Sequence, residues 1–201
     1  MTTEPVSVAG KQLLVVEDDR LVLAMLVEGL TDAGFVVVTA ESVEDAEAWL
    51  SGGGRPDLAV LDVRLSGQDG LYLAQRLRDL DHIPFMMLSA YSDPQTVARA
   101  TAAGALGYAV KPQDLAQLVP AIQAALARAD ELQDLRTKRL QLQAALNGER
   151  DINIAVGITM MQNHLKRSEA FELIRMAARK QRRKLADLAA QIIQAGETLS
   201  L

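Results

Sequence analysis

Five polar residues, far apart in the chain, stand at the carboxyl ends of short apolar runs. Asp18 and Asp19 follow the run 12–16, with Glu17 between. Asp62 closes 58–62, Ser89 follows 85–88, and Lys111 follows 107–110. In an open α/β sheet the working site lies at the carboxyl ends of the strands, so these groups are expected to converge there. Three clustered carboxylates repel one another unless a cation sits among them, and oxygen donors of this kind suit Mg²⁺. A carboxylate oxygen left free can attack a phosphoryl donor, as in aspartyl-phosphate enzymes. The transferred group then needs fixed donors to spread its charge, which the Lys111 ammonium and the Ser89 hydroxyl can supply. Strand alternation turns Glu17 away from this group.

The elements that must position these residues follow from the pattern. Five apolar runs (12–16, 35–39, 58–62, 85–88 and 107–110) alternate with helical segments. Leu21, Val22, Met25, Leu26 and Leu30 recur at helical spacing before Gly34. Ser42 is placed to cap a second helix, with Asp45 three residues on. Residues 51–56, Ser-Gly-Gly-Gly-Arg-Pro, mark a turn. Leu71, Leu73, Ala74 and Leu77 mark a third helix ending near Asp81. Asp93-Pro94 opens a fourth, with Pro94 suited to its first position, and Gly104 closes it. The alternation predicts a flavodoxin-like (βα)5 fold, a parallel sheet with helices on both faces.

Beyond residue 112 the pattern changes. From 114 to about 147 the only helix breaker is Pro120, in the first turns. Ile122, Ala125, Ala129, Leu132, Arg139, Leu142 and Leu146 approximate 3-4 spacing, with Leu135 beside them. A helix this long outruns a small domain, and its stripe suits a coiled-coil homodimer. Asn147-Gly148 is expected to interrupt it. Three short helices follow, at 151–162, 168–179 and 184–195, the last ended by Gly196. The organisation read from the sequence is an α/β domain at 1–122, a coiled-coil linker helix at 123–150 and a three-helix domain at 151–201.

Composition narrows the chemistry. The chain has no cysteine, which excludes disulfides and thiolate chemistry. The first ten residues show no signal peptide pattern, and no apolar stretch reaches the ~18 residues of a membrane span; a cytoplasmic location is the expectation. Residues 1–150 carry a net charge of −8 (13 Lys/Arg against 21 Asp/Glu), and residues 151–201 carry +3 (8 against 5). An acidic front and a basic back point to different partners. Gly52-Gly53-Gly54 lacks the Lys-Ser/Thr of a phosphate loop. Asp62-Val63-Arg64 lacks the second acid of an Asp-x-Asp phosphatase, so an enzyme is not expected. His82 and His164 stand singly and suit surface roles.

Taken together, Val16-Glu17-Asp18-Asp19, Leu61-Asp62, Leu88-Ser89-Ala90 and Gly107-Tyr108-Ala109-Val110-Lys111-Pro112 resemble the receiver domain of two-component response regulators, over roughly residues 10–124. The resemblance implies that Asp62 accepts phosphate from a phosphohistidine on a sensor histidine kinase. It implies that Asp18, Asp19 and Asp62 hold Mg²⁺, with the backbone carbonyl of Arg64. Ser89 becomes the switch hydroxyl, Tyr108 the switch aromatic and Lys111 the partner of the phosphoryl group, with a cis Lys111-Pro112 bond.

All eight basic residues of the last segment fall between Lys166 and Lys184, against two acids, Glu169 and Glu172. Arg175, Arg179, Arg182 and Arg183 recur every three or four residues. If the second helix of this segment extends that far, they line one flank with Lys180 and Lys184, a geometry for phosphate contacts. Residues 155–160, Ala170-Phe171, 173–178 and 184–189 resemble the ANTAR domain, an RNA-binding antiterminator module. Gly157 inside a helix costs about 1 kcal/mol relative to alanine, which close packing of another helix would explain. The resemblance implies binding to a structured leader RNA and transcription antitermination. The alternatives are a DNA-binding response regulator and a protein-interaction adaptor.

Overall fold

The computed structural model describes residues 10–90, 93–111 and 115–198. It divides into two compact units, 1–133 and 134–201.

In the first unit, β1 (Gln12–Val16), β2 (Val36–Ala40), β3 (Leu58–Asp62), β4 (Phe85–Ser89) and β5 (Tyr108–Val110) form one sheet. The strands are all parallel, in the order β2-β1-β3-β4-β5. Four helices connect them: α1 (Arg20–Asp32), α2 (Val43–Ser51), α3 (Gly70–Arg76) and α4 (Pro94–Ala103). Then α5 (Leu115–Asn163) leaves β5. This is the expected (βα)5 alternation, with no strand bound shifted by more than one residue. The sequence puts one helix after β3; the structure ends α3 at Arg76 and widens the next turn, Leu77–Asp81, into a π-helix. His82 stops it in the left-handed region at φ 54°.

Strand periodicity of two explains the layering. Leu14, Val16, Ala59, Leu61, Phe85 and Met87 point to one face, where Val43, Ala46, Leu50, Leu73, Ala74 and Ala100 of α2, α3 and α4 cover them. Leu13, Val15, Leu58, Val60, Met86 and Leu88 point to the other, under α1 and the first turns of α5. A sheet buried on both faces has near-continuous apolar strands, and β3 and β4 are buried throughout.

The caps follow chemistry. Ser42 accepts from the backbone N–H of Asp45 at 3.0 Å, and Asp93 accepts from Thr96 at 2.9 Å with Pro94 opening α4. Each satisfies an amide that a helix start leaves without a partner.

The second unit combines the carboxyl part of α5 with α6 (Arg167–Lys180) and α7 (Leu185–Thr198). Here the sequence reading needs correction. α5 runs through Asn147-Gly148 without a break, so the expected helix at 151–162 is its end. Gly196 lies inside α7. Nothing lies within 4 Å of where a Gly157 side chain would start, so close packing does not explain that glycine. Gly148 is the packed one: a β-carbon there would sit 3.2 Å from that of Ala186. The core is small and alanine-rich, built on Ala155, Val156, Ala170, Ile174, Ala178, Leu188 and Ala189. Buried Thr159 fits it because its hydroxyl donates to the Ala155 carbonyl at 2.8 Å. Glu169 accepts from the backbone N–H of Lys166 at 2.8 Å and so closes the start of α6.

Candidate functional site

The register of the sheet assembles the site. Val16 pairs with Leu61, so Glu17 and Asp62 come level on adjacent strands and share a face. Asp62 pairs with Leu88, and Leu88 with Ala109. Lys111, two residues after Ala109, has the same parity as Asp62. Parallel strands thus deliver Glu17, Asp62 and Lys111 to one point.

The contacts bear this out. The Lys111 ammonium donates to Asp62 Oδ2 at 2.7 Å and also donates to Glu17 Oε2. Glu17 is 1% exposed and Asp62 7%. Glu17, Asp18 and Asp62 each bring a carboxylate oxygen within 4.8 Å of the others.

Two sequence expectations change here. Glu17 does not face elsewhere. It remains in the ladder, its N–H donating to the Ala40 carbonyl at 3.1 Å, and its side chain enters the acidic group. Alternation along one strand could not show this, because the pairing with β3 decides it. Asp19, expected in the group, is exposed and caps α1. Its Oδ1 accepts from the backbone N–H groups of Leu21 at 2.9 Å and Val22 at 3.2 Å. The acidic pair is therefore Glu17 and Asp18. The runs 12–16 and 58–62 taken singly carried no signal of this, since the register between two strands is not written in either.

The β3–α3 loop shapes the rim. The Arg64 N–H donates to Asp62 Oδ1 at 3.1 Å, and Arg64 bridges Asp69 across the loop. Asp69 caps α3 through the Leu71 N–H at 3.0 Å and takes an ion pair from Arg99 at 2.8 Å. A β-carbon at Gly70 would collide with the Asp62 carbonyl oxygen; only glycine lets α3 start this close to the strand end. From the tip of the loop, Ser66 donates its N–H to Asp18 Oδ2 at 2.9 Å, and its hydroxyl donates to the same oxygen.

Ser89 closes β4 and is 2% exposed; its carbonyl accepts the Lys111 N–H at 2.7 Å. Tyr108 opens β5, half-buried against the cluster under α2, α3 and α4. The Lys111-Pro112 bond lies outside the described residues.

Electrostatics follow from this packing. Burial pushes the Glu17 carboxyl above its usual range, against the pull of Lys111. The Ser66 hydroxyl leads the effects that hold Asp18 below its usual range. Burial opposes the charge on Lys111, but the hydrogen bonds to Asp62 and Glu17 outweigh it, and the ammonium titrates above its usual range. Three carboxylates around one ammonium leave a net −2 when ionised, and a donor set made wholly of oxygen matches a hard divalent cation. The residues present fit Mg²⁺.

The basic residues near the carboxyl end do not share one helix flank. α6 stops at Lys180, and Arg182 turns left-handed at φ 53°. Arg175 sits mid-helix, paired with Glu172 at 2.9 Å. Arg179 and Lys180 end α6, Arg182 and Arg183 form the turn, and Lys184 precedes α7. Arg183 donates to Gln191.

A five-stranded parallel α/β sheet with an acidic group and a lysine at its carboxyl edge defines the receiver class. The family model of the response regulator receiver domain matches residues 13–123, and that of the ANTAR domain matches 140–193. This chain belongs to the response regulators, with an amino-terminal receiver domain and a carboxyl-terminal ANTAR domain. It is 29% identical over 198 residues to the transcriptional regulatory protein PdtaR of Mycobacterium tuberculosis H37Rv, covering 96% of this chain and 94% of that one. It is 42% identical over 123 residues to the transcriptional regulatory protein PrrA of the same organism, covering 60% of this chain and 52% of PrrA. Among solved structures, a putative response regulator from Chloroflexus aurantiacus shares 35% identity at a TM-score of 0.55, over 59% of this chain and 98% of its own. The amino-terminal domain of a response regulator/sensory box/GGDEF protein from Carboxydothermus hydrogenoformans shares 29% at 0.56, over 60% and 98%. No described helix is long and apolar enough to cross a membrane.

Proposed function

We propose that this protein takes a phosphoryl group on Asp62 from the phosphohistidine of a sensor kinase, and that this event controls RNA binding by the ANTAR domain and transcription antitermination. The observation that carries the reading is the meeting of Asp62 with Lys111 beside Glu17 and Asp18. A carboxylate oxygen of Asp62 attacks phosphorus, the P–N bond to the kinase histidine breaks, and the imidazole keeps the electron pair. Lys111 meets the charge on the transferred group. Glu17, Asp18 and Asp62 would hold Mg²⁺, which supplies further charge neutralisation when bound. The protein is a phosphoryl acceptor, with at most slow loss of its own phosphate, and not a turnover enzyme.

The output reading rests on the ANTAR match and on the basic turn between α6 and α7. Exposed cations there suit phosphate contacts, and RNA is read through loops and backbone. A homodimer through α5 is part of this reading. Leu132, Leu135, Leu142 and Leu146 are 45–63% exposed along that helix, a stripe that a second copy would bury as a coiled coil. Two linked output domains gain affinity through effective concentration.

The test is phosphate incorporation from a phosphorylated kinase or a small phosphodonor. Asp62→Asn should abolish it, and labelling that persists refutes the assignment. Binding to a paired stem-loop leader RNA is measured beside binding to promoter duplex, and preference for the duplex refutes the output assignment.

A further inference from the structure

We propose that Ser66 is a positioning residue for the metal, holding one oxygen of the Asp18 carboxylate so that the other is presented to the ion. The proposal rests on the reading of Glu17, Asp18 and Asp62 as Mg²⁺ carboxylates.

The three acids are not held alike. Lys111 anchors Glu17 and Asp62, both buried. Asp18 is half-buried in the β1–α1 loop, and Ser66 anchors it from 48 residues away. Both donors of Ser66, the backbone N–H and the hydroxyl, converge on the single oxygen Oδ2. Two donors from one residue on one oxygen fix the rotation of the carboxylate as well as its place.

Ser66 can do this because its loop is pinned at both ends. Buried Leu65 anchors the residue before it. Arg64 is tied to Asp62 at one end, and Asp69 to the first turn of α3 at the other. The loop is therefore a rigid bracket between the phosphoacceptor strand and Asp18. Outer partners of this kind orient the ligands of a metal, and their loss costs about 10–100-fold in affinity. Mg²⁺ demands near-ideal octahedral geometry, whereas Ca²⁺ tolerates irregular sites. An orienting residue must therefore matter more for Mg²⁺ than for Ca²⁺.

The experiment is calorimetric titration of the full chain with MgCl₂ and, separately, CaCl₂, for wild type, Ser66→Ala, Ser66→Thr and Asp18→Asn. Alanine removes the hydroxyl and keeps the N–H, so Mg²⁺ affinity should fall about tenfold, the low end of that range. Ca²⁺ affinity should fall less, and threonine should restore Mg²⁺ binding. The urea midpoint in EDTA should stay near that of wild type. Unchanged or tighter Mg²⁺ binding by Ser66→Ala, while Asp18→Asn loses it, overturns the proposal and leaves the metal site standing. Equal losses for both ions overturn it as well. A wild type that binds no Mg²⁺ overturns the site and the proposal together.

Discussion

The Lys111 ammonium lies 2.7 Å from Oδ2 of Asp62, which precedes it by 49 residues, and the same ammonium bonds Glu17. One cation thus serves two buried acids, and its removal exposes both to the cost of burial. Deleting one partner of a buried pair costs about 3–5 kcal/mol. Lys111→Met is expected to lose about 3 kcal/mol in metal-free buffer at neutral pH, measured by urea denaturation. The pH dependence fixes the cause. Glu17 already titrates above its usual 4.5 because of burial, and loss of the ammonium drives it further up. A group with a raised folded-state pKa contributes stability that is fully present below its unfolded value and is lost as pH rises through the folded one. The deficit of Lys111→Met should therefore be largest at neutral pH and shrink as pH falls toward 4.5. A deficit that does not change with pH would assign the loss to packing.

Asp18 and Asp19 are neighbours with separate tasks, and substitution separates them. Asp19→Ala removes the cap of α1 and is expected to cost about 1 kcal/mol of stability with Mg²⁺ affinity unchanged. Asp18→Asn should show the reverse, with metal affinity lost and stability nearly kept. Calorimetry and denaturation on the same two variants decide the matter. Loss of Mg²⁺ binding by Asp19→Ala would restore the pair as the sequence suggested it.

Much of this arrangement was legible in the sequence, for physical reasons. Strand-end placement follows from apolar runs and breakers, so Asp62 and Lys111 could be located without knowing what lay beside them. Glu17 could not, because its partner depends on the register of β1 against β3, a property of two strands. Continuity of α5 was hidden for a different reason. Asn147-Gly148 reads as a break, yet a single glycine costs about 1 kcal/mol in a helix interior, which a 49-residue helix can absorb. The end of α6 was read to within one residue, 179 against Lys180, although Arg182 rather than glycine takes the left-handed position after it.

The two helical glycines of the second unit differ in a way stability can read. Gly157 faces open space, so Gly157→Ala should gain about 1 kcal/mol from helix propensity alone. At Gly148 the added carbon meets Ala186 at 3.2 Å, so the same propensity gain is offset by crowding, and Gly148→Ala should gain clearly less. Thermal unfolding of the two variants compares them directly. An equal gain at both would mean that α7 yields freely at Ala186.

The basic residues near the carboxyl end are also unequal. Arg175 is occupied by Glu172 and Arg183 by Gln191, while Arg179, Lys180, Arg182 and Lys184 are exposed around the turn. A cation that contacts a phosphate releases a counterion on binding, so each contact adds about 0.7–0.9 to the slope of log affinity against log salt. Arg182→Ala and Lys184→Ala are each expected to weaken leader-RNA binding and to flatten that slope by about one contact. Arg175→Ala should change it less, because its charge is already spent on Glu172. The measurement is RNA affinity across a salt series for the three variants. Slopes that all match wild type would move the RNA contacts off this turn and favour a protein partner for the basic surface.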